Sequence, residues 1–134
     1  MLVTFDFLEK WNFSIELPGE VRTKETIEKY NKFKEKIKSG NISIGEFIKE
    51  KYLCDRLYSF NLNTYPYNIE NNMQHYVLWI SPLFKKKIND EMLCKLITDK
   101  MEELGYNEYF CFENHIKAKS VLEILHYQVF FRKC

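Results

Sequence analysis

The chain has few of the residues that cross-link or subdivide a fold. Its 134 residues include 4 cysteines, 3 prolines and 4 glycines. The cysteines lie far apart, without the short spacings of a zinc site or a disulfide framework. They are Cys54, Cys94, Cys111 and Cys134. No Ser/Gly/Pro linker and no internal repeat divides the chain. We therefore expect one domain, residues 1–134, with reduced thiols in an intracellular, cytoplasmic setting and with no metal and no cofactor.

A charge imbalance and a long apolar run are also absent. Twenty basic and 19 acidic residues give a formal net charge of +1, so no overall field attracts nucleic acid. No stretch approaches membrane-spanning length, and Asp6 stands where a signal peptide needs an unbroken apolar run. The lysine run 85–87 is typical of a solvated surface. The sequence predicts no membrane partner and argues against a nucleic-acid partner.

The composition suits a globular core and carries a bias in its basic residues. Hydrophobic residues make up 46% of the chain and aromatic residues 16%, which is ample material for a core. Seventeen of the basic residues are lysine and 3 are arginine. Together with many Asn, Ile and Tyr residues, this bias is typical of AT-rich coding, as in some protists, bacteria and large DNA viruses. A viral source is therefore one expectation.

Helical spacing marks two segments in the first half of the chain. Over residues 23–38, apolar side chains recur every three or four positions; Thr23, followed by Glu25 and Thr26, marks the start and Gly40 supplies a stop. Ser43 and Glu46 form a capping box, and the same spacing continues to about Leu53. These patterns predict two consecutive helices.

A third helix and a loop are predicted further along. The helix begins after Asn89 or Asp90, carries an apolar stripe and ends at Gly105. Residues 58–72 mix aromatic side chains with asparagine and include Tyr65-Pro66-Tyr67. This composition disfavours a long regular element, so the segment is interpreted as a loop.

Three segments have the composition of strands: 74–80, 106–112 and 122–131. Pro82 limits the first of them because proline lacks the N–H that a strand ladder needs. Short links between sequential strands favour antiparallel pairing. The sequence predicts an α+β fold with a small antiparallel sheet of about three or four strands, covered by helices, and a helical N-terminal half.

Two histidines lie inside the strand-like segments. In the last strand, alternation places His126 and Gln128 on the face opposite to an apolar face. That apolar face consists of Leu125, Tyr127, Val129 and Phe131. His75 shares its face with Trp79, where burial favours a neutral imidazole. An imidazole suits proton transfer or nucleophilic attack, so His126 is the catalytic candidate. A histidine that is simply hydrogen-bonded in the core gives the same pattern.

Further side chains could hold a ligand near these histidines. Aromatic rings offer flat stacking surfaces, and amide or imidazole groups can bond phosphate or sugar oxygens. The ligand-binding candidates are Tyr65, Tyr67, His75, Trp79, His126 and Gln128. His115 is interpreted as a turn residue, and Cys111 as a small apolar group.

The C-terminal segment 114–129 resembles the histidine-triad motif. That motif has histidines at alternate strand positions after a polar stretch, which corresponds to residues 118–121 here. His126-Tyr127-Gln128 matches the His-x-Gln pair of the nucleotidyltransferase branch. The resemblance implies that His126 attacks a phosphorus atom while Gln128 binds a phosphate oxygen. Ile124 stands where the motif has its preceding histidine.

A longer set of matches is similar to the family typified by N-acetylglucosamine-induced protein 1. The matching segments are 65–67, 75–79, 112–114, 120–121 and 126–129. The resemblance implies an intracellular α+β domain and assigns no catalytic role. Gln128 stands where that family commonly has a second histidine.

Two hypotheses about function follow. In the first, the protein binds a nucleotide or a sugar phosphate in a pocket bordered by the 65–67 loop, His75 and the face with His126 and Gln128. In the second, it is a non-enzymatic structural or interaction protein, and an exposed Tyr/Phe patch binds a protein partner or a second copy. The sequence leaves open whether the protein is an enzyme.

Overall fold

The structure is a computed structural model that describes residues 2–11, 21–40, 43–113 and 124–133. Within these ranges the helices are α1 (Phe5–Trp11), α2 (Lys24–Ser39), α3 (Ile44–Ile48), α4 (Pro82–Lys85) and α5 (Asp90–Leu104). The strands are β1 (Tyr58–Leu62), β2 (Met73–Ile80), β3 (Glu108–Phe112) and β4 (His126–Arg132). A π-helical turn, Lys49–Leu53, continues α3.

The four strands form one antiparallel sheet in the order β1-β2-β4-β3. In the central pair, Val77 lies opposite Gln128, and Trp79 lies opposite His126. The predicted α+β fold with a small antiparallel sheet is confirmed.

The predicted helix ends are confirmed because they depend on local hydrogen bonds. The side-chain oxygens of Thr23, Ser43 and Asn89 each accept a hydrogen bond from the backbone N–H three residues later. These bonds satisfy N–H groups that the first helical turn leaves unpaired. Gly105 ends α5 with φ at 80°, a left-handed conformation that favours glycine.

The loop predicted over residues 58–72 is wrong at its start, where Tyr58–Leu62 forms β1. Tyr58, Phe60 and Leu62 alternate with Ser59 and Asn61, which is the period of a strand. The asparagine-rich composition argued for a loop. Pairing with the longer strand β2 overrides that local preference.

Other boundaries also differ from the prediction. β3 begins at Glu108 instead of residue 106, because the backbone N–H of Tyr106 donates to the Met101 carbonyl oxygen and closes α5. β4 begins at His126; the predicted strand residues 122–123 and the turn residue His115 lie outside the described residues. The short helices α1 and α4 were not predicted. Few turns give little periodicity, although Ser81 caps α4 and Pro82 occupies its first turn.

Helix α5 covers one face of the sheet. The buried side chains in this layer are Leu78, Ile80, Phe84, Ile97, Val129 and Phe131. Leu125 and Tyr127 pack against them. The apolar face predicted for the last strand is therefore confirmed, and the opposite face of β4 carries His126 and Gln128.

Two separate clusters cover the opposite face. At one end, α1 packs on Met73, Phe112 and Phe130. At the other end, α3 and the π-helical turn pack on Val77 and Trp79. The two polar side chains of β4 lie toward the second end, beside these last two residues.

None of the described helices combines the length and the apolar character that a bilayer crossing requires.

Candidate functional site

A pocket of about 150 Å³ lies between the sheet and helices α2 and α3. Its floor consists of four buried side chains from the two central strands: Val77, Trp79, His126 and Gln128. All four project from the face opposite to α5 because they alternate with the α5-facing residues along β2 and β4. The pocket floor is thus part of the rigid centre of the sheet.

Aromatic rings dominate the pocket walls. The wall rings are Tyr30 and Phe33 from α2, Phe47 and Tyr52 from α3 and its π-helical turn, and Tyr65 from the loop after β1. Tyr30 stacks on Tyr65 with ring centroids 5.0 Å apart. Tyr52 lies nearly parallel to Trp79, with centroids 5.9 Å apart. These contacts hold flat apolar surfaces around the cavity.

The charged side chains among the described lining residues are both cationic, Arg22 and Lys51. The Nε atom of Arg22 donates to the Tyr65 carbonyl oxygen at 2.7 Å, and its guanidinium lies 5.0 Å from the Tyr67 ring centroid. Lys51 is exposed, with its Nζ atom 5.3 Å from the Tyr52 ring centroid. The described lining residues include no carboxylate.

A buried hydrogen-bond network lies behind the pocket floor. The backbone N–H of Tyr67 donates to Nδ1 of His75 at 3.1 Å. A neutral imidazole that accepts at Nδ1 carries its hydrogen on Nε2. Nε2 of His75 therefore donates to Oε1 of Gln128 across 2.5 Å, and Nδ2 of Asn63 donates to the same oxygen across 3.4 Å. The His75 ring also stacks on Phe130, with centroids 4.2 Å apart.

This network fixes the orientation of the Gln128 side-chain amide. Its oxygen must face His75 and Asn63 because both of them present donors. The amide nitrogen, Nε2, has no acceptor within the part of the chain that the structure describes. Gln128 is only 5% exposed, and a buried donor without a partner costs about 1–3 kcal/mol. A ligand that brings an acceptor into the pocket would remove this cost.

Burial makes His75 a structural residue. It lowers the pKa of His75 from 6.5 to about 3; the Gln128 hydrogen bond opposes this shift and the Arg22 charge adds to it. The imidazole is neutral near pH 7, as the apolar neighbours in the sequence predicted. A side chain with this pKa is not protonated at neutral pH, and His75 supports the site by holding Gln128.

His126 is buried at the opposite side of Gln128. Its Nδ1 atom lies 2.9 Å from the Ile124 carbonyl oxygen. A carbonyl only accepts, so Nδ1 donates and the basic lone pair of the neutral ring is on Nε2. The ring lies 4.8 Å from the Trp79 ring, measured between centroids.

The structure divides the six ligand-binding candidates into two groups. Tyr65, Trp79, His126 and Gln128 line the pocket, whereas His75 and Tyr67 lie behind it, packed against Phe130. His75 pairs with Phe130 in the sheet and His126 pairs with Trp79. The two histidines are therefore separated by four residues along the strands, about 13 Å, with Gln128 between them.

Sequence reasoning missed Asn63, Arg22 and Lys51. Asn63 follows β1, a strand that the sequence analysis placed in a loop. Lys51 is one of 17 lysines, so no local signal separates it from the solvated ones. Arg22 directly precedes Thr23, which caps α2. The chain has only 3 arginines, and this rarity was the available signal.

Cys111 behaves as the sequence predicted. Burial, with a smaller contribution from Cys94, raises the pKa of the Cys111 thiol to about 11. The thiol therefore stays protonated at neutral pH and is a poor nucleophile.

Among the described residues, no three His, Cys, Asp or Glu side chains are grouped so that they could hold a metal ion.

No family model matches the chain, and no curated protein is similar to it in sequence. A solved structure, the crystal structure of HTC1, superposes with a TM-score of 0.66. The match covers 98% of this chain and 85% of the HTC1 chain at 16% sequence identity. At this identity the similarity shows the fold alone, and it agrees with a small α+β domain.

Proposed function

We propose that this protein binds a small phosphorylated ring compound, a nucleotide or a sugar phosphate. The observation that carries the proposal is the pocket itself. It combines aromatic walls with two cationic side chains, and no carboxylate is present among its described lining residues. Aromatic faces bind flat rings, and unbalanced cations attract phosphate. A mostly apolar cavity with a few convergent polar groups is the usual form of a small-molecule site.

The positions of the charged and buried lining residues indicate how a ligand would be oriented in the pocket. Lys51 is exposed and Arg22 is half-buried, whereas the four floor residues are buried. A bound phosphate would therefore lie at the rim, where it keeps part of its hydration. The ring would lie deeper, against Trp79 and Gln128.

Replacing Lys51 with methionine is expected to weaken binding of a nucleotide or a sugar phosphate about 10-fold, because one charge-assisted hydrogen bond to phosphate is lost. Isothermal titration calorimetry with uridine 5′-monophosphate and glucose 6-phosphate measures this change. Lys49→Met is the matched control: Lys49 is exposed on the same helical segment and does not line the pocket. If neither probe binds the unmodified protein at millimolar concentration, the proposed function is wrong.

The proposal also includes the cellular compartment of the protein and the possible catalytic chemistry of the site. Cys54, Cys94 and Cys111 are free thiols, which supports an intracellular, reducing compartment such as the cytoplasm. The resemblances to the N-acetylglucosamine-induced protein 1 family and to the histidine-triad motif stay predictions. So does the catalytic role that the second resemblance gives to His126.

A second candidate function is self-association through strand β1. This strand lies at an edge of the described sheet. Leu57, which directly precedes β1, is 52% exposed, and Leu62 at the end of the strand is 57% exposed. Leu83 of α4 is 72% exposed. An edge strand with exposed apolar side chains can pair with another strand. The occupant we propose for this edge is β1 of a second copy, in antiparallel pairing.

Analytical ultracentrifugation tests this second candidate. The protein is expected to form dimers at micromolar concentration. Leu57→Lys is expected to raise the dimer dissociation constant at least about 10-fold. Leu2→Lys is the matched control, because Leu2 is 54% exposed and lies outside residues 57–62, which comprise β1 and the residue before it. If the protein stays monomeric at concentrations about 100-fold higher, the free energy of dimer formation is roughly 2.7 kcal/mol weaker than expected. That result would rule out this candidate.

A further inference from the structure

We propose that the pocket takes an oxo-pyrimidine base, and that the amide nitrogen of Gln128 donates a hydrogen bond to the oxo group. This inference rests on the proposed function, which supplies the phosphorylated ring. It adds the size of the ring and the group by which the ring is recognised.

The pocket volume sets the size of the ring. The cavity measures about 150 Å³, which is close to the volume of an engineered apolar cavity that holds one benzene ring. A six-membered ring therefore fits between the floor and the aromatic walls. A purine, with two fused rings, would extend beyond this volume. Among nucleotides, the pocket fits a pyrimidine base inside and its ribose and phosphate toward Lys51.

The orientation of Gln128 sets the chemistry of recognition. Two donors, His75 Nε2 and Asn63 Nδ2, occupy the amide oxygen. Gln128 lines the pocket, and its amide nitrogen forms no hydrogen bond with the described residues. Gln128 can therefore only donate to a ligand, and the ligand must present an acceptor. The 2-oxo group that uracil and cytosine share is such an acceptor.

The sheet register leaves space for this contact. Val77 lies between Asn61 of β1 and Gln128 of β4 in one row across three strands. All three side chains line the pocket. The middle one, Val77, is shorter than Gln128. The edge of a ring lying over Val77 would therefore meet the Gln128 amide at the side of the pocket floor.

Asn63 and His75 act as positioning residues for this recognition. They contact Gln128 Oε1, and neither needs to touch the base. If the amide rotated by half a turn, the His75 N–H would face another N–H. The network therefore holds a donor toward the pocket before any ligand binds, which reduces the cost of ordering the site.

Calorimetric titration of the full chain with four probes tests the inference. The probes are uridine 5′-monophosphate, adenosine 5′-monophosphate, phenyl phosphate and ribose 5-phosphate. Phenyl phosphate has a ring without an acceptor, and ribose 5-phosphate has no base. The uridine nucleotide is expected to bind at least about 10-fold tighter than each of the others.

The variant Gln128→Glu keeps an oxygen toward His75 and replaces the donor by a second oxygen. We expect it to weaken binding of the uridine nucleotide about 30-fold and that of phenyl phosphate only about 3-fold, because the added carboxylate repels the phosphate of both probes but only the uridine nucleotide loses a hydrogen bond. Gln74→Glu is the control for the added charge, because Gln74 is exposed on the same strand. If Gln128→Glu fails to fold, the unmodified protein decides the question: the inference requires it to bind the uridine nucleotide at least about 10-fold tighter than phenyl phosphate.

The outcomes separate this inference from the proposed function. Equal affinity for the adenosine and uridine nucleotides, or equal losses for both ring probes in Gln128→Glu, would overturn the oxo-pyrimidine assignment alone. Binding of ribose 5-phosphate as tight as that of the uridine nucleotide would also overturn it, and would leave a sugar-phosphate site. Binding of none of the four probes would overturn the proposed function as well.

Discussion

Replacing His75 with alanine is expected to lower the free energy of unfolding by about 3–5 kcal/mol. The side chain is 2% exposed, and its ring contacts Phe130 and Tyr67 at centroid distances of 4.2 and 4.7 Å. Truncation removes these contacts and leaves a cavity. It also removes the acceptor for the Tyr67 N–H and the closer of the two donors to Gln128 Oε1. Each buried polar group that loses its partner adds its own penalty.

Urea unfolding followed by tryptophan fluorescence measures this loss. Gln74→Ala on the same strand is the matched control: Gln74 is exposed, and a change within about 0.5 kcal/mol is expected. His75→Asn should fall between the two variants, since the asparagine oxygen can still accept from the Tyr67 N–H. A loss below about 1 kcal/mol in His75→Ala would contradict the network described here.

Acid is expected to destabilise the protein through the same residue. Burial lowers the pKa of His75 to about 3 in the folded protein, against an ordinary value of 6.5. Between these values the unfolded chain binds a proton that the folded chain does not, so protonation favours unfolding. The contribution of His75 is present in full above about pH 6.5. It falls by about 1.4 kcal/mol per pH unit as the pH drops, and the loss levels off below about pH 3.

A comparison with His75→Asn isolates this contribution, because asparagine does not titrate. Unfolding free energies of both proteins are measured between pH 7 and the lowest pH at which each remains folded. The slope against pH should be steeper for the unmodified protein by about 1.4 kcal/mol per unit. Other titrating groups are common to both proteins and cancel in the difference. Parallel slopes would mean that His75 is accessible to protons in the folded state.

The candidate site was only partly predictable because it joins distant segments. Alternation in β4 predicted that His126 and Gln128 share a face, and both line the pocket. The role of His75 depends on Gln128, which is 53 residues away, and no local pattern encodes that contact. The same holds for Lys51, whose position beside the pocket results from how α3 and its π-helical turn pack on the sheet. For β1, pairing with β2 decided the structure against its asparagine-rich composition.

The sequence by itself determined the features that arise within a few residues. It set the capped ends of α2, α3 and α5, the left-handed stop at Gly105, the alternating faces of β4 and the α+β class, because capping and periodicity act over one or two turns or along one strand. Only the tertiary structure decided the strand order, the pocket and the orientation of the Gln128 amide. Each of these depends on contacts between segments that are far apart in the chain. There, packing and hydrogen bonds to distant partners outweigh local preference.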